Sequence, residues 1–144
     1  MLTPIKQLNN AAVTWIDHLQ SPLLLAARLY IAWVFFKSGL TKLNDWESTL
    51  LLFEYEYAVP VLDHVTAAYM ATAGELVLPV LLALGLFGRF SAVGLFIVNW
   101  IAVISLEDMP AAALNLHYIW AMASALVIFW GAGFFSADKW LGFK

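Results

Sequence analysis

The stretch Ala27–Leu43, ARLYIAWVFFKSGLTKL, decides how the chain is read. It has the apolarity of a bilayer-crossing helix, yet it carries Arg28 and Lys37 where charge is most expensive. The rest of the chain sets the context for these two cations. Of 144 residues, 63% are hydrophobic and 12% charged, and the mean hydropathy is +0.83. A soluble domain of this size needs more charge on its surface, so the chain reads as a membrane protein. A net charge of −3 with no basic cluster gives no basis for nucleic-acid binding. The absence of cysteine excludes disulfides, iron–sulfur ligation and thiol redox chemistry on this chain.

Four apolar runs predict four spans, at about 22–41, 65–87, 90–106 and 112–135. Pro22 suits the first turn of the first span, where its missing N–H is no loss. Gly88 and Arg89 form the short link between spans two and three, which predicts a tight antiparallel hairpin. No segment alternates with period two, as a transmembrane barrel would require. The expected fold is therefore all-α, an integral membrane antiparallel four-helix bundle. Two amphipathic pieces flank the spans. Residues 1–21 place Ile5, Leu8, Ala12, Trp15 and Leu19 at helical spacing, as an N-terminal segment in the interface ahead of a membrane domain over 22–144. Trp46, Leu50, Phe53 and Tyr57 repeat this pattern after span one. A connecting helix packed on the bundle accounts for either piece equally well. With Asp17 and no small-residue cleavage site, the first 21 residues do not read as a cleaved signal. Lys6, Arg89, Lys139 and Lys144 fall on one side, which predicts both termini in the cytoplasm of a cell (inner) membrane.

Ionisable groups at mid-membrane are paired or functional. Arg28 and Glu75 are placed about 5 Å and about 2 Å on opposite sides of the midplane by a 1.5 Å rise per residue, which an arginine side chain spans. The expectation is an Arg28–Glu75 ion pair. Arg28, Ala32, Phe35, Gly39 and Lys42 share one face of span one, and Glu75, Pro79, Leu82, Leu86 and Arg89 repeat the spacing on span two. Lys37 points away, and its ordinary reading is a snorkelling surface lysine. Pro79 frees the carbonyl of Glu75, so a kink and a buried carboxylate coincide, either as structure or as a cavity wall. Asn99 and His117 are the polar residues of spans three and four, each readable as an interhelical hydrogen-bonding group. A polar cavity bounded by Arg28, Glu75, Asn99 and His117 is expected. His64, Met109 and His117 supply copper-type ligands without a motif, and a bis-histidine haem from His64 and His117 is disfavoured by their different depths.

The chain resembles the DoxX family of small four-helix membrane proteins over about Ala26 to Trp140. The resemblance rests on RLYIAWVFFKSGLTKL, with its arginine, small residue, phenylalanine, glycine and lysine, and on GELVLPVLLALGLFGRFSA, with Glu75, Gly85 and Arg89. It rests also on GAGFFSADKW, which is similar to a Gly-Pro-Gly…Ser-x-Asp ending with Ala132 in place of proline and Phe134 at a commonly polar position. LFEYEYAVPVL is similar to a subgroup encoded beside enzymes that modify metal-binding peptides. The resemblance implies a membrane subunit or accessory of a redox system, in some relatives a thiosulfate:quinone oxidoreductase, in others oxidative, sulfur or metal stress. Quinone is the cofactor it admits, and the implied partners are membrane or periplasmic redox or metal-handling proteins, with an oligomer allowed. The alternative is a non-catalytic membrane partner, or a transport or copper-handling component, whose polar core is structural. The residues alone leave open whether the chain is an enzyme.

Overall fold

The computed structural model describes residues 3–143; within 3–14 it describes the side chains of Lys6, Asn9, Asn10 and Val13. Among the described residues six helices form: α1 Thr3–Asn44, α2 Trp46–Tyr55, α3 His64–Leu84, α4 Gly88–Ser105, α5 Ala111–Trp130 and α6 Ala137–Leu141. Four of them, α1 over Trp15–Asn44 and the whole of α3, α4 and α5, are long and apolar enough to cross a membrane. The chain is an all-α, multi-pass membrane protein. Large exposed apolar side chains on all four, such as Trp33, Val77, Ile97 and Phe129, face the hydrocarbon.

The spans make a closed ring, with α1 against α3, α3 against α4, α4 against α5 and α5 back on α1. Each neighbour pair is antiparallel, so the start of α1 and the end of α5 lie at the same end of the bundle. The core is built from Leu24, Ile31 and Phe35 of α1, Leu82 of α3, Ala92 and Leu95 of α4 and Val127 of α5. The helical phase read from the sequence is the one that packs: Arg28, Ala32, Phe35 and Gly39 are buried, and so are Glu75, Pro79 and Leu82. Small residues allow close approach. A Cβ on Gly39 would come 2.9 Å from Leu76 Cγ and 3.2 Å from the carbonyl carbon of Glu75. Thus α1 lies against the backbone of α3 where Pro79 has freed a carbonyl.

Two expectations about boundaries are corrected. Helix α1 runs through Pro22 without interruption. Pro22 therefore sits inside a helix, and the N-terminal segment continues the first span. Its exposed Trp15 and Leu19 touch no other helix's core, and the side chains of Ile5, Leu8 and Ala12 lie outside the described residues. The hairpin link is Gly85–Phe87, three residues earlier than Gly88 and Arg89, because Gly85 takes the left-handed conformation (φ 67°) and its N–H bonds the carbonyls of Leu81 and Leu82. Gly88 and Arg89 instead open α4.

Helix α2 is an amphipathic connection packed on α3, with Phe53 buried against Ala67 and Ala68. Asp45 and Asp63 cap α2 and α3 by accepting from the N–H groups of Ser48 and Thr66. The α2–α3 connection is tied across the bundle by Ala58 N–H donating to Ser105 O at 2.9 Å.

Candidate functional site

The polar interior divides into two centres at opposite ends of the bundle. The first is built on Arg28, only 1% exposed. Its guanidinium donates to four backbone carbonyls: Nε to Leu82 O at 3.0 Å, Nη2 to Ala83 O at 2.8 Å, and Nη1 to both Ala132 O and Phe135 O, the latter at 2.9 Å. Leu82 and Ala83 belong to the last turn of α3, where the helix runs out of its own donors, and Leu82 O also accepts from the cap Gly85 N–H. Ala132 and Phe135 lie in the turn after α5. A planar fork of five donors suits this gathering of carbonyls from two chain segments. Gly85 is required here, since a Cβ would stand 2.5 Å from Ser136 Cβ and 2.8 Å from Arg28 Nη2. Asp138 completes the centre. Its two oxygens accept from Phe87 N and Gly88 N, each at 2.7 Å, which caps α4 from outside the helix. Ser136 accepts from Lys139 N and donates to Gly133 O.

The second centre is built on Glu75. Its partner is Lys42, with Nζ 2.6 Å from Oε2. The pair is largely enclosed, at 19% and 9% side-chain exposure. Lys42 also donates to Ser38 Oγ at 3.1 Å. Tyr57 looks onto the pair from the α2–α3 connection. Burial first, and then the charges of Glu75 and Glu56, push its phenol above the usual range, so it stays a protonated donor at neutral pH. Beside the pair, one turn along α3, an apolar groove of about 430 Å³ runs between Leu43, Trp46, Tyr69, Thr72, Ala73 and Leu76.

The expected Arg28–Glu75 pair is therefore not made. The reason is register. Gly39 lies opposite Glu75, and Arg28 lies opposite Gly85. Ten residues of α3 separate the two levels, or about 15 Å at 1.5 Å per residue, beyond the reach of one side chain. The single cavity bounded by Arg28, Glu75, Asn99 and His117 fails for the same reason. Asn99 and His117 do meet: Asn99 Nδ2 donates to His117 O at 3.1 Å, and His117 Nδ1 lies 2.8 Å from Asn99 Oδ1. This pair joins α4 to α5. Trp120 packs edge-on to His117 and donates to Tyr30 OH at 3.2 Å. Lys37 is exposed, outside the buried face of α1. His64 is exposed at the start of α3 and Met109 sits in the α4–α5 turn, while His117 Nδ1 is occupied by Asn99. Among the described residues no three His, Asp or Glu side chains converge to hold a metal.

Reading the sequence missed Lys42 as the partner of Glu75, although Lys42 shares the inward face with Arg28. It also missed Tyr57, which the ring contact with Phe53 at 5.0 Å helps to place.

The arginine that locks the end of α3 to the Ala132–Ser136 turn, and the Glu75 behind Gly39, occupy the segments that carried the resemblance. The family model for DoxX matches residues 23–135. The chain belongs to the DoxX family. It is 31% identical over 124 residues to an uncharacterized protein of Haemophilus influenzae, an alignment covering 80% of each chain. No solved structure matches it. The DoxX match takes in both polar centres except Ser136 and Asp138, which lie just beyond its end.

Proposed function

We propose that this DoxX protein is a membrane subunit of a quinone-linked redox system in the cell (inner) membrane, with both termini cytoplasmic. In this reading the Lys42–Glu75 pair and Tyr57 receive the quinone headgroup. The observation that carries it is an enclosed carboxylate–ammonium pair whose chain neighbours Leu43 and Leu76 line an apolar groove, with a protonated phenol near the carboxylate. A quinone needs hydrogen-bond donors at its carbonyls and apolar walls for its ring. Lys42 and Tyr57 are the donors, and Trp46, Tyr69 and Leu76 are the walls. Reduction to the quinol consumes two electrons and two protons. A redox centre on a partner protein supplies the electrons, and Glu75 passes protons from the acidic-loop side, one per cycle of its own protonation.

The test is saturable quenching of tryptophan fluorescence by a short-chain ubiquinone in detergent-purified protein. Lys42→Met removes the ammonium donor and should weaken binding at least about fivefold, the worth of one charge-assisted hydrogen bond. Trp46→Phe should remove most of the signal. Quenching that never saturates in the unmodified protein refutes the reading.

A second reading has its own observation. Every donor of Arg28 used in the fold goes to backbone, so that centre is structural. If Lys42–Glu75 is structural too, the chain is a non-catalytic membrane partner, and Glu75→Gln leaves the activity of the assembled system unchanged.

A further inference from the structure

At the end of the bundle opposite Glu75, a groove of about 760 Å³ opens between the α3–α4 turn, the α5–α6 turn and α6. Ligand pockets for small molecules have about this size. Two cations line it, Arg89 and Lys139. Neither side chain makes an ion pair or hydrogen bond with any described residue. Asp138 is the carboxylate on the groove, and both its oxygens are already held by the N–H groups of Phe87 and Gly88. Neither cation is ion-paired among the described residues, and the groove sets two cations against the one carboxylate of Asp138, whose charge also acts on Arg28. The groove also carries exposed Phe90, Trp130 and Phe134, 68%, 57% and 59% accessible. These rings stand where α4 begins and α5 ends, at the depth of a membrane interface, where aromatics anchor.

The geometry points to a binding site for one anionic phospholipid, its phosphodiester held by Arg89 and Lys139 and its first acyl carbons lying on Phe90 and Trp130. A lipid fits better than an acidic peptide because the aromatic wall continues onto the hydrocarbon-facing surface of α4 and α5. Arg89 supplies a flat pair of donors to phosphate oxygens, and Lys139 a point charge. This site is separate from the quinone reading and stands whether or not that reading holds.

The experiment measures phosphatidylglycerol retention by the full-length protein in mild detergent, by native mass spectrometry, against phosphatidylcholine and against inorganic phosphate. The unmodified protein should retain one phosphatidylglycerol in preference to phosphatidylcholine. Arg89→Gln with Lys139→Gln should weaken retention about 30-fold, from roughly fivefold for each cation removed near a charged headgroup. The charge-matched Lys6→Gln with Lys37→Gln should retain it as the unmodified protein does. Circular dichroism and gel filtration confirm that each variant is folded. Equal retention by the Arg89/Lys139 variant overturns the site. So does equal weakening in the charge-matched control, which would mark a general charge effect. Saturation by inorganic phosphate at matched concentration overturns the lipid as occupant.

Discussion

Replacing Arg28 by methionine removes the guanidinium and keeps the length of the apolar stem. Four carbonyls lose the guanidinium, and of these Leu82 O keeps the N–H of Gly85. The bonds to Leu82 O and Ala132 O are buried, whereas those to Ala83 O and Phe135 O are partly open. An orphaned buried acceptor costs about 1–3 kcal/mol, which falls on Ala132 O, while Leu82 O loses one bond of two, worth about 0.5–1.5 kcal/mol. The other two rehydrate and cost less. Relief of the buried charge offsets part of the sum. The net expectation is a loss of about 2–4 kcal/mol, measured by reversible unfolding in mixed micelles of rising sodium dodecyl sulfate fraction. Arg28→Lys should recover less than half, because an ammonium has three donors and cannot span both chain segments. Combining Arg28→Met with Glu75→Gln should add within about 0.5 kcal/mol, since the residues share no partner. A loss under about 1 kcal/mol for Arg28→Met, or a strong non-additivity with Glu75→Gln, refutes the four-carbonyl lock.

Lys42→Met and Glu75→Gln should be less than additive, with a coupling of about 1–2 kcal/mol in the same unfolding assay, because each single change orphans the other charge. Gly85→Ala should lose about 3 kcal/mol, from left-handed strain and from overlap with Ser136. Gly142→Ala, also left-handed but with nothing within 4 Å, should lose only the strain of about 1 kcal/mol. Hydrogen bonds from Thr66 hold the Asp63 carboxyl below the usual carboxylate range. Its capping contribution is therefore present above an unfolded pKa of about 3.9 and is lost as pH falls through the lower folded value, so amide exchange at the start of α3 should accelerate only below about pH 4, and Asp63→Asn should abolish that dependence. Single cysteines at Glu54 and Trp140 test the topology in intact cells: an impermeant reagent should label only the first, and labelling of the second would invert the assigned orientation.

The spans and their inward faces were legible because helical period and bilayer thickness act on many residues at once. The face Arg28, Ala32, Phe35, Gly39 and Lys42 needed only the 100° step of a helix. Register between helices was not legible, because it is set by single contacts. Gly39 against Glu75 and Gly85 against Arg28 slide α1 by several residues relative to a midplane estimate. That slide moved Glu75 from Arg28 to Lys42. The overrun of α1 past Pro22 was hidden for a related reason: a proline at residue 22 reads as a helix start by local preference, but a first-turn proline and an interior one differ only in what precedes them. Asn99 and His117 were both seen as interhelical bonding groups, and their mutual pairing emerged only when α4 and α5 were set side by side.

The Arg28 lock also sets an order on biogenesis. Two of its acceptors lie more than a hundred residues downstream, at separations of 104 and 107. A nascent first span therefore enters the bilayer with its guanidinium only partly satisfied, and it gains half its partners at the C-terminal turn of α3. The remainder arrive only after α5 has crossed. Chains stalled before Ala132 would display an incompletely solvated cation within the membrane, which separates an unfinished chain from a closed bundle.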